Sequence, residues 1–171
     1  MNSENPVTAQ LLANFQIDMS RFAEFVEEFK AESDRGCAVL TLCALEESLM
    51  NLFKALLPAQ SVKNVAPRGW LARKIESAFG LGLLNEWEAA QFKLLAEIRN
   101  DFAHEATLKL SFESPEIVAQ VNRLTLPFAN MKFPTDPSAR TRFLQVAAVL
   151  SGHMIIHRSQ VRRIAKKPEH S

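Results

Sequence analysis

The chain has 171 residues and a mass of 19.2 kDa, is 47% hydrophobic and 23% charged, and carries twenty Lys or Arg against nineteen Asp or Glu. That size suits one domain burying about two thirds of its extended surface, so its core needs no disulfide or metal to hold it. A net charge of +1 excludes a globally cationic surface that would hold nucleic acid by charge alone.

The first predicted helix runs from about Thr8 to Ala31. Leu11 or Leu12, Phe15, Met19, Phe22, Val26 and Phe29 recur there at three- and four-residue steps, as one helix face requires. Asp34 reads as the N-cap of a second helix, its carboxylate taking the free amide hydrogens of the first turn. That helix continues to Leu57, with Val39, Leu42, Leu45, Leu49, Leu52, Phe53 and Leu56 inside, and Pro58 stops it. Gly36, near its start, leaves room for another backbone to approach.

After a loop from Ala59 to Arg68, a short helix places Trp70 or Leu71, Ile75 and Phe79 inside. Gly80 and Gly82 offer stopping points that tolerate positive φ. Asn85 with Glu88 three residues on forms a capping box and opens a helix carrying Trp87, Leu94, Leu95, Ile98 and Phe102. Leu108, Leu110 and Phe112 then alternate with polar residues, which suits a short extended arm. Ser114-Pro115 restarts a helix whose apolar side is Ile117, Val118, Val121 and Leu124, and Pro127, Pro134 and Pro137 mark the loop after it. The last helix spans about Ser138 to Ala165, with Phe143, Ala147, Leu150, Met154, His157, Val161 and Ile164 in one stripe.

The expectation is an all-α, single-domain bundle of five or six helices, with an arm after the fourth. Residues 1–7 would be a flexible N-terminus, 8–165 the helical domain and 166–171 a basic disordered tail. Cys37 and Cys43 lie six residues apart on one predicted helix, about 120° apart around its axis, and so are poorly placed to bridge. No signal-peptide pattern opens the chain, and no stretch approaches 18 apolar residues, so a cytoplasmic, membrane-free setting is expected.

Charge is unevenly spread. Residues 1–57 hold nine acids and four bases, net −5; residues 107–171 hold ten bases and four acids, net +6. Arg158, Arg162, Arg163, Lys166 and Lys167 form a local basic patch, open to three readings: solvated surface, partner contact or nucleic-acid contact.

Chemistry concentrates in Ile98-Arg99-Asn100-Asp101-Phe102-Ala103-His104-Glu105. Arg99 and His104 are about 140° apart on a straight helix, so they converge on one substrate only if the helix bends or a second copy joins. One account is structural: His104 meets the helix C-terminus, Asp101 accepts from its imidazole, and Arg99 pairs with Glu46 or Glu47. The other is catalytic: Arg99 holds a phosphate, His104 moves protons at a ribose 2′-hydroxyl, and Asn100 orients one of them.

Arg99-Asn100-x-x-x-His104 matches the Arg-x4-6-His motif of the HEPN superfamily of helical bundles, many of them ribonucleases or toxins with sites built across a dimer. The wider pattern is more specific. Asp34-Arg35-Gly36-Cys37-Ala38, Leu45-Glu46-Glu47-Ser48-Leu49, Leu81-Gly82-Leu83-Leu84 and Ile98-Arg99-Asn100-Asp101-Phe102-Ala103-His104 resemble the mannitol operon repressor family over about residues 30–125. The resemblance implies an all-helical protein of transcriptional repression that lacks an evident DNA-binding domain. The residues it touches are Arg35, Gly36, Glu46, Arg99, Asn100, Asp101 and His104, with no established catalytic role. No helix-turn-helix with a basic recognition helix is found, so direct DNA binding is not expected. A protein partner is, with a homodimer as one form of it. A metal-independent ribonuclease or toxin acting on RNA is the alternative, and a purely structural bundle the third reading.

His153 and His157 lie one turn apart, but a metal site needs a third and fourth ligand and no Asp or Glu lies between Gln145 and Gln160. A hydrogen-bonded interior or interface pair is expected instead. Trp70 and Trp87 read as packing anchors rather than stacking platforms. Gly80-Leu81-Gly82 is no dinucleotide fingerprint, no P-loop or nucleophile elbow occurs, and Glu46-Glu47 lacks the companions of a di-iron bundle site. No cofactor or metal is expected.

Overall fold

A computed structural model describes residues 27, 29, 31–58, 61, 62, 64, 71–104, 109–127, 133 and 137–165, with side chains up to residue 161. Five helices occur among them: α1 (Asp34–Leu56), α2 (Leu71–Gly80), α3 (Glu86–His104), α4 (Pro115–Val121) and α5 (Ala139–Ala165). No strand occurs among the described residues, so the chain is an all-α helical bundle. Most of the first predicted helix, Trp70 and the tail lie outside the described residues.

Helices α1, α3 and α5 pack on one another; α2 lies against α1 and α3, and α4 against α3 and α5. Each buries a stripe set by its apolar spacing. Cys37, Ala38, Leu42, Leu45, Leu49, Leu52 and Phe53 of α1 face Phe92, Leu95, Ile98 and Phe102 of α3, and Phe143, Val146, Ala147, Leu150 and Met154 of α5, in one core. Phe112 is wedged between Phe102 and Phe143, with ring centroids 4.9 Å and 5.2 Å away and tilted planes. By length and composition α1 meets the criterion for a membrane span, contrary to the sequence expectation. Its buried side is the wall of the core, while Leu40 and Leu56 on the same helix are exposed.

Ser33, not Asp34, caps α1: its hydroxyl accepts from the Gly36 N–H at 3.1 Å. Asp34 is the first helical residue, and its carboxylate reaches elsewhere. It accepts from the Phe112 N–H at 2.8 Å and from Arg140 at 3.0 Å. Arg140 also donates to the carbonyls of Phe29 and Glu32, at 2.6 Å and 2.7 Å. The expected extended arm is therefore a connecting segment pinned to the start of α1, with a Ser111–Ser114 turn leading into α4.

Helix α2 ends in a Schellman motif. The Leu83 N–H donates to Ala78 O at 2.8 Å, the Gly82 N–H donates to Phe79 O at 2.9 Å, and Gly82 takes φ +69°. Leu83 and Leu84 are buried just beyond it. Phe79, expected inside, is 50% exposed, because Leu71, Lys74, Ile75 and Ala78 form the buried stripe and Phe79 lies one residue around the helix from Ala78. Lys74 can be buried because its ammonium donates to Glu46 of α1.

Candidate functional site

The Arg99–His104 stretch ends α3. Ile98 and Phe102, four residues apart, are both fully buried and hold the helix to the core. The residues between and after them turn outward: Arg99 is half-buried, and Asn100, Asp101 and His104 are exposed. Asp101 accepts from the Gln120 amide of α4, not from the His104 imidazole. Glu46 takes Lys74 rather than Arg99. Among the described residues, no hydrogen bond or ion pair joins the side chains of Arg99, Asn100 or His104 to another group. Arg35 sits half-buried in the first turn of α1 and has interactions of its own. The polar residues of this stretch therefore form a helix-end surface rather than a closed interior network.

A second constellation is tighter, and the sequence reading assigned only part of it. Asn85 and Glu88 realise the expected capping box: Asn85 Oδ1 accepts from the Glu88 N–H at 2.9 Å, and Glu88 Oε2 accepts from the Asn85 N–H at 2.8 Å. Glu88 is 0% exposed. Its remaining oxygen, Oε1, accepts from His153 Nδ1 at 2.9 Å and from His157 Nε2 at 2.8 Å, both on α5. The two histidines are thus a hydrogen-bonded pair as expected, with an acceptor that comes from 65 and 69 positions away.

Trp87 roofs the group. Its ring lies 5.5 Å from that of His153, and its Nε1–H donates to Thr125 Oγ1 at 3.2 Å. Gln91, buried on the same helix, accepts from the Thr125 N–H at 2.9 Å, which clips the segment after α4 to α3. Trp87 is therefore a packing anchor with its polar edge satisfied.

Burial pushes the Glu88 carboxyl up, but bonds from His157, the Asn85 amide and His153, with the attraction of the His157 charge, outweigh it and leave the carboxyl below its ordinary range. The bond to Glu88 lifts His157 above its ordinary range; burial opposes this, and the Glu88 charge and a Gln160 bond add to it. No group of three or more His, Cys, Asp or Glu side chains among the described residues is arranged to hold a metal ion. Glu88 Oε1 stands as acceptor to both imidazoles, which is proton sharing rather than convergence of three donors on an ion.

Of the expected basic patch, Arg158 is half-buried and engaged, while the side chains of Arg162 and Arg163 and residues Lys166 and Lys167 lie outside what is described. Cys37 is buried and Cys43 exposed, and both are free thiols. No protein-family model, curated protein or solved structure matches this chain.

Proposed function

We propose that this protein is a cytoplasmic, non-enzymatic regulator, of the kind the mannitol operon repressor family represents, that acts by protein–protein contact without binding DNA itself. The observation that carries this reading is the outward-facing end of α3. Arg99, Asn100 and His104 stand at the surface with no partner among the described residues, while Asp101 is committed to Gln120. Polar groups that bond to nothing among the described residues are candidates for contact with another molecule. The purely structural reading is supported by Asp101 alone among the polar side chains, since Ile98 and Phe102 do most of the anchoring.

A ribonuclease is the second reading, favoured by the exposure of His104 and the partial exposure of Arg99 at the same helix end. In it Arg99 holds phosphate and His104 exchanges the proton, with a second copy bringing the opposing pair.

One experiment separates them. Purified protein is incubated with structured and unstructured RNA, and a mannitol-responsive reporter is followed in cells lacking the gene and complemented with wild type, Arg99→Ala or His104→Ala. Repression that is lost in the variants, with no RNA cleavage by wild type, supports the regulator. Cleavage by wild type that His104→Ala abolishes at equal folding overturns it.

A further inference from the structure

We propose that Glu88, His153 and His157 form a proton-operated latch that fixes the last third of α5 against the start of α3. Glu88 is the only carboxylate in the group and is fully buried, yet one of its oxygens serves the α3 cap while the other holds two side chains of α5. A carboxylate in such a place is costly unless a positive charge faces it. One imidazolium makes the trio neutral. Removing that proton leaves a buried negative charge with only neutral donors. Adding another sets two imidazoliums against one carboxylate, and protonating Glu88 as well, with both imidazoles charged, places an acid hydrogen among N–H donors with no ring nitrogen left to accept it.

Other charges around the trio are engaged or directed outward. On α3, Glu86 is exposed, Lys93 pairs with Glu76 of α2, and Glu97 pairs with Arg123 beyond α4. On α1, which packs against both latch helices, Asp34 is held by Arg140, Glu46 is held by Lys74, Glu47 and Lys54 are exposed, and Arg35 lies in the first turn. On α5, Arg158 follows His157 in sequence and is engaged, and Gln160 is exposed. Among the described residues the counter-charge available to Glu88 is therefore an imidazole proton. The lowered Glu88 carboxyl and raised His157 agree with that arrangement.

The device has a defined output. Beyond His157 the helix carries Arg158, Arg162 and Arg163, so the latch decides how firmly this basic end of α5 is docked. Uptake of the His157 proton tightens it, and protonation of Glu88 in acid releases it.

The test is amide hydrogen exchange of peptides covering residues 150–161, normalised for the intrinsic pH dependence of exchange. In wild type, protection should be severalfold higher at about pH 6 than at about pH 9. Glu88→Gln should abolish that change. His157→Gln, at a partly exposed position, keeps a neutral donor toward Glu88; it should show lower protection at about pH 6 and no difference at about pH 9. Ring-proton titration by NMR should show His157 returning toward its ordinary range in Glu88→Gln. Equal normalised protection at both pH values in wild type, or the same pH response in His157→Gln, overturns the latch.

Discussion

Arg140 Nη1 donates to Asp34 Oδ1 at 3.0 Å across 106 positions of sequence, joining the first turns of α5 and α1. Asp34 also accepts from the Phe112 backbone, and Arg140 donates to two carbonyls just ahead of α1, so one ion pair fastens three chain segments. Both side chains are about three-quarters covered, so screening by solvent is incomplete.

Asp34→Ala should therefore destabilise the fold by about 1–3 kcal/mol, since it strands the Phe112 N–H and leaves Arg140 without its carboxylate. Asp34→Asn retains an acceptor and should cost less. Urea denaturation followed by circular dichroism measures both, and wild-type stability in Asp34→Ala would contradict the assignment.

The pH profile of stability has a sign that can be worked out. Glu88 is lowered from its ordinary 4.5, so its contribution is present above that value and is lost as pH falls through the folded-state value. His157 is raised from its ordinary 6.5, so its contribution is complete below that value and is lost as pH rises through the folded-state value. Thermal midpoints should peak between 4.5 and 6.5 for this cluster, and the peak should flatten in Glu88→Gln.

Two glycines at the α2–α3 corner should respond oppositely to alanine. Gly82 has φ +69°, where a Cβ costs roughly 1–2 kcal/mol. Gly80 closes the helix with nothing within 4 Å of an added Cβ, so Gly80→Ala should leave stability unchanged or raise it by up to about 1 kcal/mol. Paired melting curves decide the matter.

Within one short stretch the two sides of α3 should behave differently. Phe102→Ala removes a ring packed on Phe112 and should cost about 3–5 kcal/mol. Arg99→Ala and His104→Ala touch no bond among the described residues and should stay within about 0.5 kcal/mol of wild type. Any loss of function in them is then a loss of contact or chemistry and not of folding.

Periodicity made the helices legible. The described parts of α1, α3 and α5 begin and end within a residue or two of the sequence expectation, α4 starts at Pro115 as expected but stops at Val121, short of Leu124, and the Asn85–Glu88 box forms as its spacing requires. What escaped was pairing at long range. Ser33 and Asp34 are adjacent, each able to cap, and only Phe112 and Arg140 determine which of them is free to do so. Lys74 reads as an exposed charge until Glu46 arrives from another helix. Glu88 gave a partial signal: a capping box occupies one carboxylate oxygen, and a histidine pair on another helix needs an acceptor. At Arg99–His104 the motif was visible, but its orientation depended on which neighbours Ile98 and Phe102 found.

The corner between α2 and α3 carries an implication for how the chain is made. Its reverse turn is closed by bonds reaching no more than six residues, from Ala78 to Leu84, so it can form as soon as that stretch leaves the ribosome. The clasp at Asp34 must wait until Arg140 has been translated. A helical hairpin ready early, with α1 held open until its distant partner emerges, gives vectorial synthesis a built-in order and leaves α1 in need of shelter meanwhile.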